Sequence, residues 1–156
     1  MDWRKYRTFV LFLILTLLTT AFIFTNSLKS GSESLAQSNV VLKWVTAIID
    51  PHHTVPYDTM SFYVRKAAHL TEFALLGFSL GGLNGALARL RQKSIPLLPL
   101  FASLVVAVAD EFIQSFTGRT SQVSDVLIDF SGALLGLLVI TIIQAVRNRK
   151  RRRYGR

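Results

Sequence analysis

Four long apolar blocks constrain this chain more strongly than any other feature of its sequence. The first covers residues 8–25 without a single charge, and the others cover residues 66–88, 95–116 and 122–146. A helix of about 17–25 apolar residues crosses the hydrocarbon core of a bilayer. The blocks therefore predict an all-α membrane protein, a four-span transmembrane helical bundle that forms a single domain over residues 1–156.

Composition and charge narrow the class of protein further. Only 17% of the residues are charged, whereas an average soluble domain has about 25%. The formal charge is +9, but the basic residues cluster at the ends of the apolar blocks and form no stripe with aromatic residues, so nucleic acid is not expected as a partner. The absence of cysteine excludes disulfides, thiolate metal sites and cysteine nucleophiles.

The first block has an alternative interpretation as a cleaved signal peptide, because basic residues precede it. Its apolar run is longer than the ~7–15 residues of a signal-peptide core, and no A-x-A cleavage site follows it. We therefore expect a retained span.

The basic residues between the blocks predict the orientation of the bundle. Lys and Arg concentrate in the cytoplasmic connections of membrane proteins. In a four-span arrangement thirteen of the eighteen Lys and Arg lie on the side of the two termini, many of them in a basic tail over residues 147–156. Both termini are therefore predicted to be cytoplasmic, and the tail is expected to anchor this topology and to contact anionic lipid.

The connection between the first two spans then lies outside the cell. Within residues 34–49, Val41, Trp44 and Ile48 share one helical face. One interpretation is an interfacial helix on the outer leaflet. The other is a lid helix that packs only against protein.

Carboxylates of three spans lie at one depth. Counted from the outer ends of their spans, Glu72, Glu111 and Asp129 lie about 10, 9 and 12 Å inside, at 1.5 Å per residue. Ionisable groups in the hydrocarbon region are costly unless they are paired or hydrated, so these side chains are expected to face one another. Asp110 is adjacent to Glu111 and is therefore expected to face about 100° away from it.

Further polar residues share the faces of these carboxylates. Arg65, His69 and Glu72 follow an i, i+4, i+7 pattern on the second span. We therefore expect one polar cavity that opens toward the outer face. It is expected to be lined by Arg65, His69, Glu72, Glu111, Gln114, Arg119, Asp125 and Asp129. The alternative is a buried ion-pair network that only holds three helices in register.

Glycines recur at helical spacing in two spans. Gly77, Gly81 and Gly85 form a GxxxGxxxG series in the second span, and Gly132 and Gly136 lie in the fourth. Small residues at this spacing let helix backbones approach closely in lipid. Packing of the second span on the fourth is the expected use, and a dimer face is the alternative.

The order of these motifs resembles the VanZ-like family. The resemblance rests on RKAAHLTEFALLGFSLG at 65–81, DEFIQSFTGRTSQVSDVLIDFSGALLG at 110–136 and a charged loop that opens with TNSLKSGSES. It implies a multi-span protein of the bacterial plasma membrane. Because a named member is associated with low-level resistance to teicoplanin, the resemblance also implies a link to glycopeptide resistance.

One hypothesis is a site that acts on an envelope lipid or a lipid-linked precursor. Arg65, Lys66 and Arg119 lie at headgroup level and would hold a phosphate-bearing headgroup. The types of side chain used in acid–base catalysis lie beneath them. The predicted catalytic residues are His69, Glu72, Glu111 and Asp129.

A divalent cation would extend this chemistry to hydrolysis or group transfer. Its predicted ligands are Glu72, Glu111 and Asp129, which are oxygen donors at one depth. A further set of polar residues would orient the reacting groups. This set is Gln114, Asp125 and Asp110.

Two non-enzymatic functions stay open, because the chain has no HExxH, G-x-S-x-G or phosphate-loop motif. The first is a binder or transporter of lipid headgroups or lipid-like antibiotics, and transport by so few helices would require a homodimer. The second is a structural membrane subunit whose polar cluster is only a clamp.

Overall fold

The computed structural model describes residues 3–52, 54–119 and 121–154. These residues form five helices and no strand. The helices are α1 (Trp3–Ser27), α2 (Gly31–Ile49), α3 (Tyr57–Arg91), α4 (Leu98–Ser115) and α5 (Val123–Tyr154). All except α2 are long and apolar enough to cross a membrane. The predicted all-α bundle of four spans is confirmed.

The helices depart from the predicted spans mainly at their ends. α3 begins at Tyr57, directly after Pro56 and nine residues before the predicted second span, and it ends at Arg91. α4 begins only at Leu98, with Pro99 in its first turn, where a missing backbone N–H breaks no helical hydrogen bond. α5 continues through most of the basic tail as far as Tyr154.

A capping box starts α2. The Ser30 hydroxyl accepts the backbone N–H of Glu33 at 3.3 Å, and the Glu33 carboxylate accepts the backbone N–H of Ser30 at 2.8 Å. The hydrogen bonds from the backbone and hydroxyl of Ser30 favour the charged carboxylate and lower the pKa of Glu33. This cap lets α2 begin with only three residues between it and the end of α1.

α3 is the central helix of the bundle and contacts each of the other four helices. Its Phe73 and Leu76 are fully buried and pack with Ile23 of α1, Ala107 of α4 and Ala133 of α5. The outer faces of the spans carry large exposed apolar side chains, as expected for helices that are surrounded by lipid.

The backbones of α3 and α5 approach each other closely at their glycines. A Cβ atom built on Gly136 would lie 1.8 Å from the carbonyl oxygen of Ala74, and one built on Gly77 would lie 2.0 Å from that of Ala133. Real Cβ atoms do not approach backbone atoms so closely. The glycines therefore pack the second span on the fourth, as expected.

We predict that Gly136→Ala separates α3 from α5 and destabilises the bundle by at least about 1–3 kcal/mol, as in other overpacked cores. The temperature at which the detergent-solubilised protein loses its monodisperse size-exclusion peak should fall. The matched control is Gly31→Ala, because a Cβ there meets no atom within 4 Å. Equal stability of the two variants would contradict the close contact.

Candidate functional site

A cavity of about 260 Å³ lies among the helices at the end of the bundle where α2 packs. We call it the α2-end cavity. Residues of α1, α2, α3 and α4 line it, together with Arg119 from the α4–α5 connection. Of the eight residues expected to line a common cavity, Arg65, His69, Glu72 and Arg119 do so.

Side chains of three spans meet on one side of this cavity. His69 of α3, Asp110 of α4 and Asp129 of α5 each offer a ligand atom, and these atoms lie within 4.8 Å of one another. His69 Nδ1 is 3.3 Å from Asp129 Oδ1 and 3.9 Å from Asp110 Oδ2. We call these three residues the buried cluster. Its imidazole and carboxylates are groups that can bind a divalent metal ion or exchange protons.

Asp110 is held in place by two neighbours. The Ser27 hydroxyl of α1 donates to one carboxylate oxygen, and Gln114 Nε2 donates to the other at 2.7 Å. All three side chains are buried. Gln114 therefore orients a residue of the buried cluster, although it does not line the cavity itself.

Asp129 is in a different situation, because it is 0% exposed and neither of its carboxylate oxygens has a hydrogen-bond partner among the described residues. It lies behind His69, outside the lining of the cavity. Buried carboxylates are normally paired, hydrogen-bonded or bound to a metal ion. Asp129 is therefore a fully buried carboxyl group whose neighbour in the buried cluster is the imidazole of His69, at 3.3 Å.

The expectation about the adjacent pair Asp110 and Glu111 is wrong. Asp110, expected to face away, lines the cavity. Glu111 is buried but points to the α4–α5 connection, where one carboxylate oxygen accepts the backbone N–H of Gln122 at 3.0 Å. The group of possible metal ligands accordingly contains Asp129, but neither Glu72 nor Glu111, among the described residues. The choice between Asp110 and Glu111 depends on the rotation of α4 about its axis, which depth along the helix does not determine.

Glu72 and the Lys66–Asp125 pair have separate environments. Glu72 lines the cavity and accepts a hydrogen bond from Asn26 Nδ2 of α1 at 3.3 Å. Lys66 forms an ion pair with Asp125, and neither residue lines the cavity. The cations that face the cavity are therefore Arg65 and Arg119, whereas Lys66 already has a carboxylate partner.

Sequence reasoning missed the contribution of α1 and α2 to the cavity. Ser34 and Ser38 of α2 line it, and so do Asn26 and Ser27 at the end of α1. A signal was present in the i, i+4 spacing of the two α2 serines, which places them on one side of that helix.

Hydrogen bonds connect α2 to the cavity. Lys29 Nζ donates to Asn26 Oδ1 at 2.9 Å and to Gln37 Oε1 of α2 at 2.6 Å. Trp44 and Ile48 of α2 are exposed at 71% and 77%. α2 therefore contributes side chains to the cavity and leaves Trp44 and Ile48 exposed, and this exposure does not fit a helix that packs only against protein.

A family model described as VanZ/LLP1 matches residues 11–144. The match includes the buried cluster and every residue that lines the α2-end cavity. Comparison with curated proteins and with solved structures finds no match.

Proposed function

The chain belongs to the VanZ/LLP1 family, and on this premise we propose that its α2-end cavity binds the phosphate-bearing headgroup of an envelope lipid or lipid-linked precursor. The observation that carries the proposal is the presence of Arg65 and Arg119 in one small cavity within a bundle of apolar helices. Guanidinium groups bind phosphate oxygens through paired, charge-assisted hydrogen bonds. A volume of about 260 Å³ suits a headgroup, whereas the lipid chains would stay in the hydrocarbon.

We predict that Arg119→Gln weakens headgroup binding roughly 10- to 100-fold, because a hydrogen bond to a charged group is worth about 1.5–3 kcal/mol. Native mass spectrometry of the detergent-solubilised protein with a polyprenyl phosphate measures the bound fraction. Lys43→Gln is the control, since Lys43 is an exposed cation of α2 that does not line the α2-end cavity. Equal binding by both variants would refute the assignment of Arg119.

The same cavity holds groups that can exchange protons with a bound headgroup. Glu72 and His69 line it together with the two arginines. A carboxylate beside a phosphate ester can accept a proton from an attacking water molecule. We therefore extend the proposal to hydrolysis of a phosphate ester in the headgroup, in which water forms a new P–O bond and the ester P–O bond breaks. Glu72 would accept a proton of the attacking water, and the leaving oxygen would take up a proton. The alternative is a protein that binds the headgroup and leaves it unchanged.

The proposed link to glycopeptide resistance provides a readout of this step in cells. We predict that expression of the chain in a susceptible bacterium raises the minimal inhibitory concentration of teicoplanin, and that Glu72→Gln abolishes the increase while headgroup binding persists. Asp58→Asn, which removes an exposed carboxylate from the same helix, should keep the increase. Resistance that survives Glu72→Gln would favour the non-enzymatic binder, and an inactive wild type would refute the glycopeptide link.

We further propose that the protein lies in a bacterial plasma membrane with both termini in the cytoplasm. The split of thirteen basic residues against five supports this orientation. It directs the α2-end cavity toward the outer surface, where lipid-linked envelope precursors are used.

Single cysteines test this orientation cleanly, because the chain has no cysteine of its own. We predict that an impermeant maleimide labels Ser32→Cys, in α2, on intact cells. Lys93→Cys, in the connection between α3 and α4, should react only after permeabilisation. Labelling of both positions from the same side would contradict the four-span orientation.

A further inference from the structure

We propose that His69, Asp110 and Asp129 bind a divalent transition-metal ion of the Mn²⁺ or Zn²⁺ type beside the α2-end cavity. The inference deepens the proposed function, because it adds an ion to the site that would hold the headgroup. It assigns ligands that differ from the set expected from depth alone, with Asp110 in place of Glu111 and His69 in place of Glu72.

The unsatisfied state of Asp129 is the first argument. Its side chain is fully buried, and neither oxygen has a hydrogen-bond partner among the described residues. Within the part of the chain that the structure describes, His69 Nδ1 also lacks a hydrogen-bond partner, although Asp129 Oδ1 lies 3.3 Å away. A proton on Nδ1 is thus not aligned with either carboxylate of the buried cluster. A single ion between these residues would be a common bonding partner for His69 Nδ1 and for the Asp129 carboxylate.

The distances are the second argument. Metal–ligand bonds to imidazole nitrogen and carboxylate oxygen are about 2.0–2.2 Å long, so two ligand atoms on one ion lie about 3–4 Å apart. The two distances from His69 Nδ1, 3.3 and 3.9 Å, are in this range. The three ligand atoms lie within 4.8 Å of one another, so only a small closure is needed.

The charges and supporting contacts are the third argument. Two carboxylates and a neutral imidazole carry a charge that a divalent ion neutralises. Ser27 and Gln114 donate hydrogen bonds to Asp110 and hold it in position, as groups around metal ligands usually do. The mixture of one imidazole and two carboxylates favours Mn²⁺ or Zn²⁺ over Ca²⁺.

The position of the cluster explains what the ion would contribute. His69 and Asp110 line the α2-end cavity, whereas Asp129 lies behind them. Catalytic metal sites keep a coordination position open on the substrate side, and here that side is the cavity that holds Arg65 and Arg119. A bound ion would polarise a phosphate oxygen or a water molecule there. His69 would then be a metal ligand, and Glu72 would exchange protons alone.

Metal binding by the full-length protein in lipid nanodiscs tests the inference. After treatment with EDTA and its removal, electron paramagnetic resonance measures free Mn²⁺ during a titration, and mass spectrometry of the elements counts bound Zn²⁺. We expect one saturable ion per chain and a rise in the unfolding temperature with the metal. Asp129→Asn should abolish both effects, and Ser27→Ala should weaken binding about 10- to 100-fold through Asp110.

The matched control is Asp125→Asn, which removes a carboxylate one turn earlier on the same helix, where it pairs with Lys66. It should bind the ion like the wild type. A wild type without saturable binding overturns the inference whether or not the variants fold, and so does a loss in Asp125→Asn equal to that in Asp129→Asn. A titration that Asp129→Asn leaves unchanged would also overturn it, because the ion would then lie elsewhere.

The variant Arg119→Gln separates this inference from the proposed function. It should keep the ion and bind the polyprenyl phosphate roughly 10- to 100-fold more weakly. A wild type that binds Mn²⁺ but no polyprenyl phosphate would refute the proposed function alone. A wild type that binds the lipid but no metal ion would refute the metal site alone.

Discussion

The backbone contact between α3 and α5 is the constraint on which the candidate site depends. A Cβ on Gly132 would lie 2.3 Å from the carbonyl oxygen of Leu70, so the two helices touch at this level. Leu70 follows His69 directly, and Gly132 comes three residues after Asp129. The contact that packs the helices therefore also brings these two side chains within 3.3 Å of each other. In lipid, such close packing of small residues substitutes for the hydrophobic effect.

The two aspartates of the buried cluster differ in the hydrogen bonds that they receive. Asp110 receives hydrogen bonds from Ser27 and Gln114, so it is held by α1 and by its own helix. Asp129 receives none among the described residues. Any species that gives the Asp129 carboxylate a partner, whether a metal ion or a reoriented protonated His69, would also stabilise the junction of three helices. Occupancy of the cluster and stability of the bundle should therefore be thermodynamically linked.

The helix α2 relates the cavity to the bilayer. Ser34, Ser38 and Val41 of α2 line the cavity, and Trp44, one turn further along the helix, is exposed. Lys29 joins α2 to α1 through Gln37 and Asn26, and Asn26 in turn contacts Glu72. A headgroup in the cavity would thus lie beneath a helix whose outer surface suits the lipid interface. The arrangement supports a ligand that is itself part of the membrane.

Hydrophobic periodicity and length determined much of this protein before any tertiary contact was known. They predicted four spans and a separate helix before α3, because a chain in lipid must satisfy its backbone within helices. They also placed the ionisable residues of α3, α4 and α5 at one depth, and the glycine spacing identified the faces that pack. These properties depend only on the rise per residue and on the spacing of residue types along a single helix, and both follow from the sequence.

Only the tertiary structure decided which side chains meet. Adjacent residues on a helix point about 100° apart, so the rotation of α4 about its axis decides whether Asp110 or Glu111 faces the cavity. Likewise, depth along α3 predicted Lys66 at headgroup level, but its ion pair with Asp125 depends on how α3 and α5 are rotated about their axes. α1 and α2 contribute to the cavity only because they pack against α3 and α4 in the folded bundle. Rotation and pairing are properties of the packed bundle, and for that reason no single helix could reveal them.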